Sequence, residues 1–136
     1  MKIAIAILFC AVSVMAAQTV SVYRTQGMPN GRAWLVMTAT EKLTWVGAFN
    51  EGVMFARSLV PPNSPGRKEI DDDLVCPLTL GEIRAALDHF YDDTPENGPI
   101  PVNEAWVVIT MRAQGASSAE IERITAKFRA AFATTK

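Results

Sequence analysis

Apolar residues along this chain recur at spacings of three and four, which is the period of an α-helix. The longest row consists of Ala39, Leu43, Val46, Phe49, Val53, Ala56 and Val60. A second row on the same segment consists of Trp45, Ala48, Gly52, Phe55 and Leu59. Two apolar rows indicate burial on more than one side, so the sequence predicts a central helix over 39–59. Pro61 and Pro62 end it, because proline disfavours a helical residue before it.

Three shorter segments each have one apolar face and predict further helices near 80–91, 102–114 and 118–133. These faces consist of Ile83, Leu87 and Phe90; of Val102, Trp106, Ile109 and Ala113; and of Ile121, Ile124, Phe128 and Ala131. A short helical turn over 32–37 is expected to bury Trp34. The preceding residues, 17–30, are expected to form an extended lead-in.

The ends of these segments carry residues that cap helices. The capping-box motif S/T-x-x-E begins at Thr38, Thr79 and Ser117. In this motif a hydroxyl and a carboxylate accept hydrogen bonds from free backbone N–H groups at the start of a helix. Pro101 suits the first position of its helix, and Gly115 suits the C-terminal end of the same helix. The caps therefore agree with the boundaries that the apolar spacing predicts.

The segment 60–78 predicts one long irregular loop. It is interrupted by prolines and a glycine, and it contains the charge run Asp71-Asp72-Asp73. Loops of this length are uncommon in compact domains and are often functional or mobile. The apolar group 74–76 is expected to fix the end of the loop to the core.

These elements predict an all-α fold, a compact bundle of about four helices in a single domain over 18–136. No alternation of apolar and polar residues is long enough to build a sheet. No internal repeat of 20–50 residues is present.

The first seventeen residues have the pattern of a cleavable export signal. Lys2 gives a positive start, an uncharged run follows it, and Val14 and Ala16 are spaced as a −3/−1 pair. The run is shorter than the roughly 20 apolar residues of a spanning helix. We therefore expect a signal peptide over 1–17, cut after Ala16 or Ala17, and a periplasmic or secreted protein.

The charge balance of the mature chain excludes one class of partner. Cleavage after Ala17 leaves about 119 residues with 12 basic and 14 acidic side chains, a formal charge of −2. This chain has no basic excess with which to bind a phosphate backbone, so nucleic acid is not expected as a partner. No apolar run after residue 17 is long enough to cross a bilayer, and the oligomeric state is left open.

Cysteine usage indicates how the mature chain is stabilised. Cys10 leaves with the signal, so Cys76 is then the single cysteine. Small exported proteins usually carry an even set of cysteines, and this core must instead be held by apolar packing. Free cysteines are usually buried and inert; an intermolecular disulfide or a reactive thiol is the alternative for Cys76.

No group of residues predicts catalysis. His89 stands off the apolar face of its helix and is expected to be a surface histidine. A Cys76–His89 pair offers a thiol nucleophile in principle, but no nucleophile motif surrounds the cysteine. The run at 71–73 lacks the ligand spacing of a calcium loop, and the phosphate-binding, zinc-hydrolase and serine-hydrolase motifs are absent. The sequence therefore predicts no catalytic, cofactor-binding or metal-ligating residues.

Large aromatic residues recur on or beside the apolar rows: Trp34, Trp45, Phe49, Tyr91 and Trp106. Most are expected in the core, where large rings dominate packing. One or two of them can border a groove. A site near Trp34, Trp45 and Tyr91 is therefore kept as the alternative, for a small-molecule-binding or enzymatic helical domain.

Three segments resemble small exported helical proteins that protect bacteria against cell-wall amidases delivered by type VI secretion. They are Trp-Val-Gly-Ala-Phe-Asn-Glu-Gly-Val at 45–53, Cys-Pro-Leu-Thr at 76–79 and Phe-Tyr-Asp-Asp-Thr-Pro-Glu at 90–96. The third segment leads through Pro101 to Ala105 and Trp106. The likeness covers about residues 34–110. That family often carries paired cysteines, whereas Cys76 has no partner in the mature chain. The resemblance implies a noncatalytic helical module, with immunity against an amidase as one version of it.

The function expected from the sequence is that of an exported, noncatalytic helical protein that binds another exported protein. The 60–78 loop and the turn over 91–101 are the expected contact zone. The alternatives are the aromatic site described above and a structural protein of the cell envelope.

Overall fold

The computed structural model describes residues 23–133. Its elements, in chain order, are β1 (Arg24–Thr25), β2 (Met28–Pro29), α1 (Gly31–Val36), α2 (Ala39–Leu59), α3 (Pro65–Asp73), α4 (Leu80–Asp92), a 3₁₀ turn (Pro95–Asn97), α5 (Val102–Ala113) and α6 (Ser118–Phe132). The fold is all-α, as predicted. All four predicted helices are present, with boundaries at most one residue from the expected ones. The predicted signal peptide, 1–17, lies outside the described residues.

The predicted caps begin α2 and α4. The hydroxyl of Thr38 in α2, and of Thr79 in α4, accepts a hydrogen bond from the backbone N–H three residues later. The glutamate at that position, Glu41 or Glu82, accepts in return from the backbone N–H of the capping threonine. Ser117 caps α6 by accepting from the backbone N–H of Glu120. Gly115 follows α5 with a positive φ of 90°, a conformation that L side chains rarely adopt.

Helix α5 lies at the centre of the core. Six of its residues are buried: Val102, Ala105, Trp106, Val108, Ile109 and Thr110. Helix α5 packs against α3, α4 and α6. Helix α2 buries only Val46 and Val53, so the prediction that 39–59 is the central helix is wrong. Helix α2 is longer but packs on one side only, against α4 and α3.

The predicted 60–78 loop contains a helix, so the prediction that it is irregular throughout is wrong. The hydroxyl of Ser64 caps α3, and Pro65 occupies its first turn, where the missing N–H of proline costs no hydrogen bond. Helix α3 buries no residue completely, and Ile70 is its only large apolar side chain. Because no apolar row runs along it, periodicity alone could not reveal it. The expected attachment at the end of this segment is present, since Trp106 Nε1 donates to the Leu74 carbonyl at 2.8 Å.

The described part of the lead-in forms a β-hairpin, with two residues in each strand, rather than a simple extended segment. Strands β1 and β2 pair antiparallel, and both residues of the turn, Gln26 and Gly27, have positive φ. The hairpin is tied to the segment that precedes α5, because the buried Thr25 hydroxyl donates to the Pro99 carbonyl at 2.8 Å. No helix among residues 23–133 is both long enough and apolar enough to span a bilayer.

Candidate functional site

The second apolar row of α2 faces outward. Ala48 and Gly52 are exposed, and the Phe55 and Leu59 side chains are 66% and 69% exposed. The prediction that α2 is buried on two sides is therefore wrong. Its neighbours contact the side that carries Val46 and Val53, and no other described element covers the opposite side. We call the surface formed by Ala48, Gly52, Phe55 and Leu59 the α2 stripe.

A groove opens at the N-terminal end of the same helix. It has a volume of about 460 Å³ and is lined by Met37, Thr40, Glu41, Thr44, Trp45 and Ala48. Its wall is mostly apolar. The volume falls within the ~300–1,000 Å³ of small-molecule sites, although this groove is open to solvent. We call it the Trp45 groove.

A chain of aromatic contacts fixes Trp45 to the core. Its ring meets Trp34 edge-on at 6.0 Å between centroids and stacks on Phe49 at 5.0 Å. Phe49 in turn contacts the fully buried Trp106 at 4.9 Å. Trp45 is only partly buried. The groove therefore presents a large ring that is held in position before any ligand arrives.

An acidic residue at the groove is held ionised. The carboxylate of Glu41 accepts from the backbone N–H of Thr38 at 2.7 Å and from its hydroxyl at 2.8 Å. These hydrogen bonds favour the charged form and lower the pKa of Glu41. The groove is therefore an apolar surface with a negative charge at its edge.

The three residues of the alternative aromatic site do not share one surface. Trp34 and Tyr91 are buried, and only Trp45 lines the groove. The Tyr91 hydroxyl donates to the Ile100 carbonyl at 3.1 Å, and burial raises the pKa of Tyr91 well above its ordinary value. The expectation that most of the large aromatic residues belong to the core is confirmed, and the one that borders a groove is Trp45.

A polar network that sequence reasoning missed lies behind the groove, with Asp88 at its centre. The Asp88 carboxylate accepts from Trp34 Nε1 at 2.9 Å, from Lys42 Nζ at 2.7 Å and from Arg84 Nη1 at 3.1 Å. Lys42 Nζ also lies 5.4 Å from the centre of the Trp34 ring, within the range of a cation–π contact. The network joins α1, α2 and α4, so it fixes the helices that carry the groove. Only the i,i+4 spacing of Arg84 and Asp88 could have signalled it from the sequence.

His89 and Cys76 lie at opposite ends of α4. His89 is exposed and stands 3.6 Å from Asp93, which confirms the expected surface histidine. Cys76 precedes the N-terminus of α4 and packs, half-buried, against the core. The nine-residue rise from Leu80 to His89 alone is about 13 Å. The structure therefore does not bring the two side chains together as a nucleophilic pair.

The charge run at 71–73 belongs to α3 and serves the packing of that helix. The Asp71 carboxylate accepts from Arg57 Nε at 2.5 Å and from Arg67 Nε at 3.2 Å, while Asp72 pairs with Lys68. The Arg57 hydrogen bond is the largest cause that lowers the pKa of Asp71. Among residues 23–133, no group of three or more acidic, histidine or cysteine side chains is placed to hold a metal ion.

The two parts of the expected contact zone differ in exposure, since no residue of 60–78 is buried. Within the turn over 91–101, Asn97, Gly98, Ile100 and Pro101 are buried. A polar cleft of about 160 Å³ borders this turn, with Arg112 and Arg129 in its wall. A mostly apolar groove of about 420 Å³ lies at the 60–78 segment, with Val60, Ile70 and Leu74 in its wall.

The chain matches no protein-family model, and neither a curated protein nor a solved structure is significantly similar to it.

Proposed function

We propose that this is an exported, noncatalytic helical protein that acts by binding another exported protein through the Trp45 groove. The observation that carries the proposal is the position of Trp45, which is partly exposed in an apolar groove and fixed by ring contacts to the core. Aromatic residues that are held rigid at a surface pocket are the usual energetic centres of protein interfaces. Little side-chain entropy is lost when such a ring is covered.

The chemistry of the groove describes what the partner presents. An apolar side chain of the partner fills the space between Met37, Trp45 and Ala48. A basic group beside that side chain pairs with the ionised Glu41 at the edge. Such a pair at the rim of an interface sets orientation and association rate more than affinity.

One version of this function is immunity against a cell-wall amidase, which the sequence resemblance suggests. The export pattern and the helical fold are compatible with it. In this version the partner is the amidase itself, and binding inhibits peptidoglycan hydrolysis. A purified amidase encoded beside this gene, assayed with and without the mature protein, tests this version directly.

The general proposal is tested by capturing partners from a periplasmic extract with the immobilised mature chain, 18–136. Thr44 lines the groove and is exposed, so Thr44→Arg fills the groove without removing a buried side chain. We expect this variant to lose the captured partner while keeping its melting temperature. Ala126→Arg, an exposed change on α6, is the matched control. Equal recovery by the parent chain and Thr44→Arg contradicts the proposal.

A second candidate function is the binding of a small apolar molecule in the same groove, favoured by its volume and its apolar wall. Titration with a neutral apolar dye, N-phenyl-1-naphthylamine, tests it. Saturable binding that Thr44→Arg abolishes supports this candidate, and non-saturable binding contradicts it.

A further inference from the structure

We propose that the α2 stripe is the surface through which two copies of this chain associate, with their α2 helices antiparallel. The proposal goes beyond the binding function above, because it concerns a different partner and a surface that shares only Ala48 with the Trp45 groove. It starts from Gly52. This glycine lies inside a helix, has an ordinary negative φ, and a Cβ added there would meet nothing within 4 Å.

No contact within the described chain explains this glycine. A glycine in an exposed helix interior costs about 1 kcal/mol of stability relative to alanine. Glycine is useful in a helix where another backbone or side chain approaches closely. None of residues 23–133 supplies such a neighbour, and the proposal gives that place to a second copy of the chain.

The spacing of the stripe is that of a helix pair. The stripe continues the row that begins at Trp45. From Trp45 through Ala48, Gly52, Phe55 and Leu59, successive residues are three, four, three and four positions apart. This alternation repeats every seven residues and corresponds to the a and d positions of two paired helices. The run is about 21 Å long at 1.5 Å per residue.

The sizes along the stripe are complementary to the same stripe reversed. When two α2 helices lie antiparallel, with a two-fold axis passing between Val53 and Met54, Phe55 of each copy covers Gly52 of the other. Leu59 of each copy then covers Ala48 of the other. Each large side chain faces a small one, which lets the helices approach closely. A two-fold arrangement uses the same patch on both copies and closes the assembly at two chains.

Charge does not oppose this pairing. Between Trp45 and Leu59, the only charged side chains are Glu51 and Arg57. Arg57 is already paired with Asp71. In the antiparallel register, Glu51 lies beside Ser58 of the second copy rather than beside its own equivalent. The pairing therefore brings no like charges together.

The exposed side chains of the α2 stripe supply a large part of the area that a specific dimer needs. A phenylalanine side chain offers about 150–250 Å² for burial, and Phe55 and Leu59 are 66% and 69% exposed. From both copies, these four side chains supply about 500 Å², roughly half of the 1,000 Å² at which specific interfaces begin, and the exposed neighbours on α2 have to supply the rest. Interfaces at the small end of the size range are typically weak and reversible.

Sedimentation velocity of the mature chain, 18–136, from 1 to 200 µM tests the association. We expect a reversible monomer–dimer equilibrium. Gly52→Leu fills the space that Phe55 of the second copy needs, so we expect dimerisation to weaken at least tenfold. The melting temperature of the monomer should be unchanged or higher, because leucine is the better helix former. Gly81→Leu is the matched control, since Gly81 is also exposed, helical and without neighbours within 4 Å of an added Cβ.

A second pair of variants distinguishes a loss of dimerisation from a general effect of a new charge on folding. Phe55→Glu places a charge in the stripe, whereas Met54→Glu places it about 100° away around the helix, at a side chain that is 43% exposed. We expect the first to abolish dimerisation and the second to leave it unchanged. A parent chain that stays monomeric at 200 µM overturns the proposal, as does a dimer that survives both Gly52→Leu and Phe55→Glu.

Cross-linking tests the antiparallel register. In a Cys76→Ala background, a mixture of the Gly52→Cys chain and the Phe55→Cys chain should form a disulfide-linked dimer, because each position faces the other across the axis. Neither variant alone should do so at a comparable rate. Faster cross-linking of one variant alone would indicate parallel helices and overturn the register. These measurements need no partner protein, so they succeed or fail independently of the Thr44→Arg test of the Trp45 groove.

Discussion

The ring of Tyr91 lies directly on Gly31, so closely that a Cβ at position 31 would overlap two of its ring carbons. Gly31 begins α1 and Tyr91 lies near the end of α4, and both are buried. Tyr91 is held from its other end by the hydrogen bond of its hydroxyl to the Ile100 carbonyl. The glycine therefore sets the distance between two helices that carry the core.

Gly31→Ala should destabilise the fold by about 1–3 kcal/mol, because the new methyl group forces the Tyr91 ring out of a packed position. Urea denaturation of the mature chain measures the effect. Gly52→Ala is the control in the opposite direction. No described atom obstructs a methyl group there, so at concentrations below dimerisation it should stabilise the monomer by up to about 1 kcal/mol. An unchanged midpoint for Gly31→Ala would contradict the packing described here.

Asp88→Ala should destabilise the protein by about 2–4 kcal/mol. The change removes the acceptor of the Trp34 indole N–H and of the Lys42 ammonium. The Lys42 side chain is only 13% exposed. Chemical denaturation measures the loss, and near-ultraviolet circular dichroism reports the environment of the indole. Asp93→Ala removes an exposed carboxylate from the same region and should cost less than about 0.5 kcal/mol. Equal effects of the two variants would show that Asp88 is not the centre of a network.

Thr79→Ala should weaken the start of α4 and cost about 1 kcal/mol, because its hydroxyl satisfies the backbone N–H of Glu82. The variant also has a spectroscopic signature. Hydrogen bonds from Thr79 lower the pKa of Glu82, so losing the hydroxyl should raise that pKa toward the ordinary glutamate value. A carboxyl-detected NMR titration follows it. Glu41, capped by Thr38, is the internal control and should titrate as in the parent chain.

Acid should weaken the attachment of α3 to α2. The folded-state pKa of Asp71 is lowered, chiefly by its hydrogen bond to Arg57. A lowered acid pKa gives stability that is present above the unfolded pKa of about 4 and is lost as the pH falls through the folded value. Thermal unfolding between pH 2 and 6 should show this loss, with a smaller slope in Asp71→Asn. Glu41 and Glu82 contribute with the same sign, so the slope should shrink but not vanish.

Burial acts in the opposite direction at Glu104. Its pKa is raised by burial, so the folded state favours the protonated carboxyl. Stability from this group is therefore present at low pH and is lost as the pH rises through the folded pKa. Glu104→Gln should remove that loss, so the thermal stability of the variant relative to the parent chain should increase as the pH rises past the ordinary glutamate value of 4.5. A difference between the two proteins that does not change with pH would contradict this assignment.

The four predicted helices could be read from the sequence because their signals are local. A capping box at Thr79 needs only a hydroxyl and a glutamate three residues on, and the face of Ile83, Leu87 and Phe90 needs only the pitch of one helix. The same local logic placed Trp34 in the core and His89 at the surface. Helix α3 escaped this reasoning because it is held by Asp71 and its two arginines rather than by an apolar row.

The candidate site depended on information that no single helix contains. Both apolar rows of α2 look alike along the chain, and only the positions of α3 and α4 decide that the row with Val46 and Val53 is covered while the row with Phe55 and Leu59 faces out. The Asp88 network joins residues up to 54 positions apart. By itself, then, the sequence determined the helices that carry an apolar face, because the signals of such a helix lie within a few of its own turns. Tertiary structure alone decided which apolar surface is buried and which is left open, because burial depends on what the rest of the chain places against it.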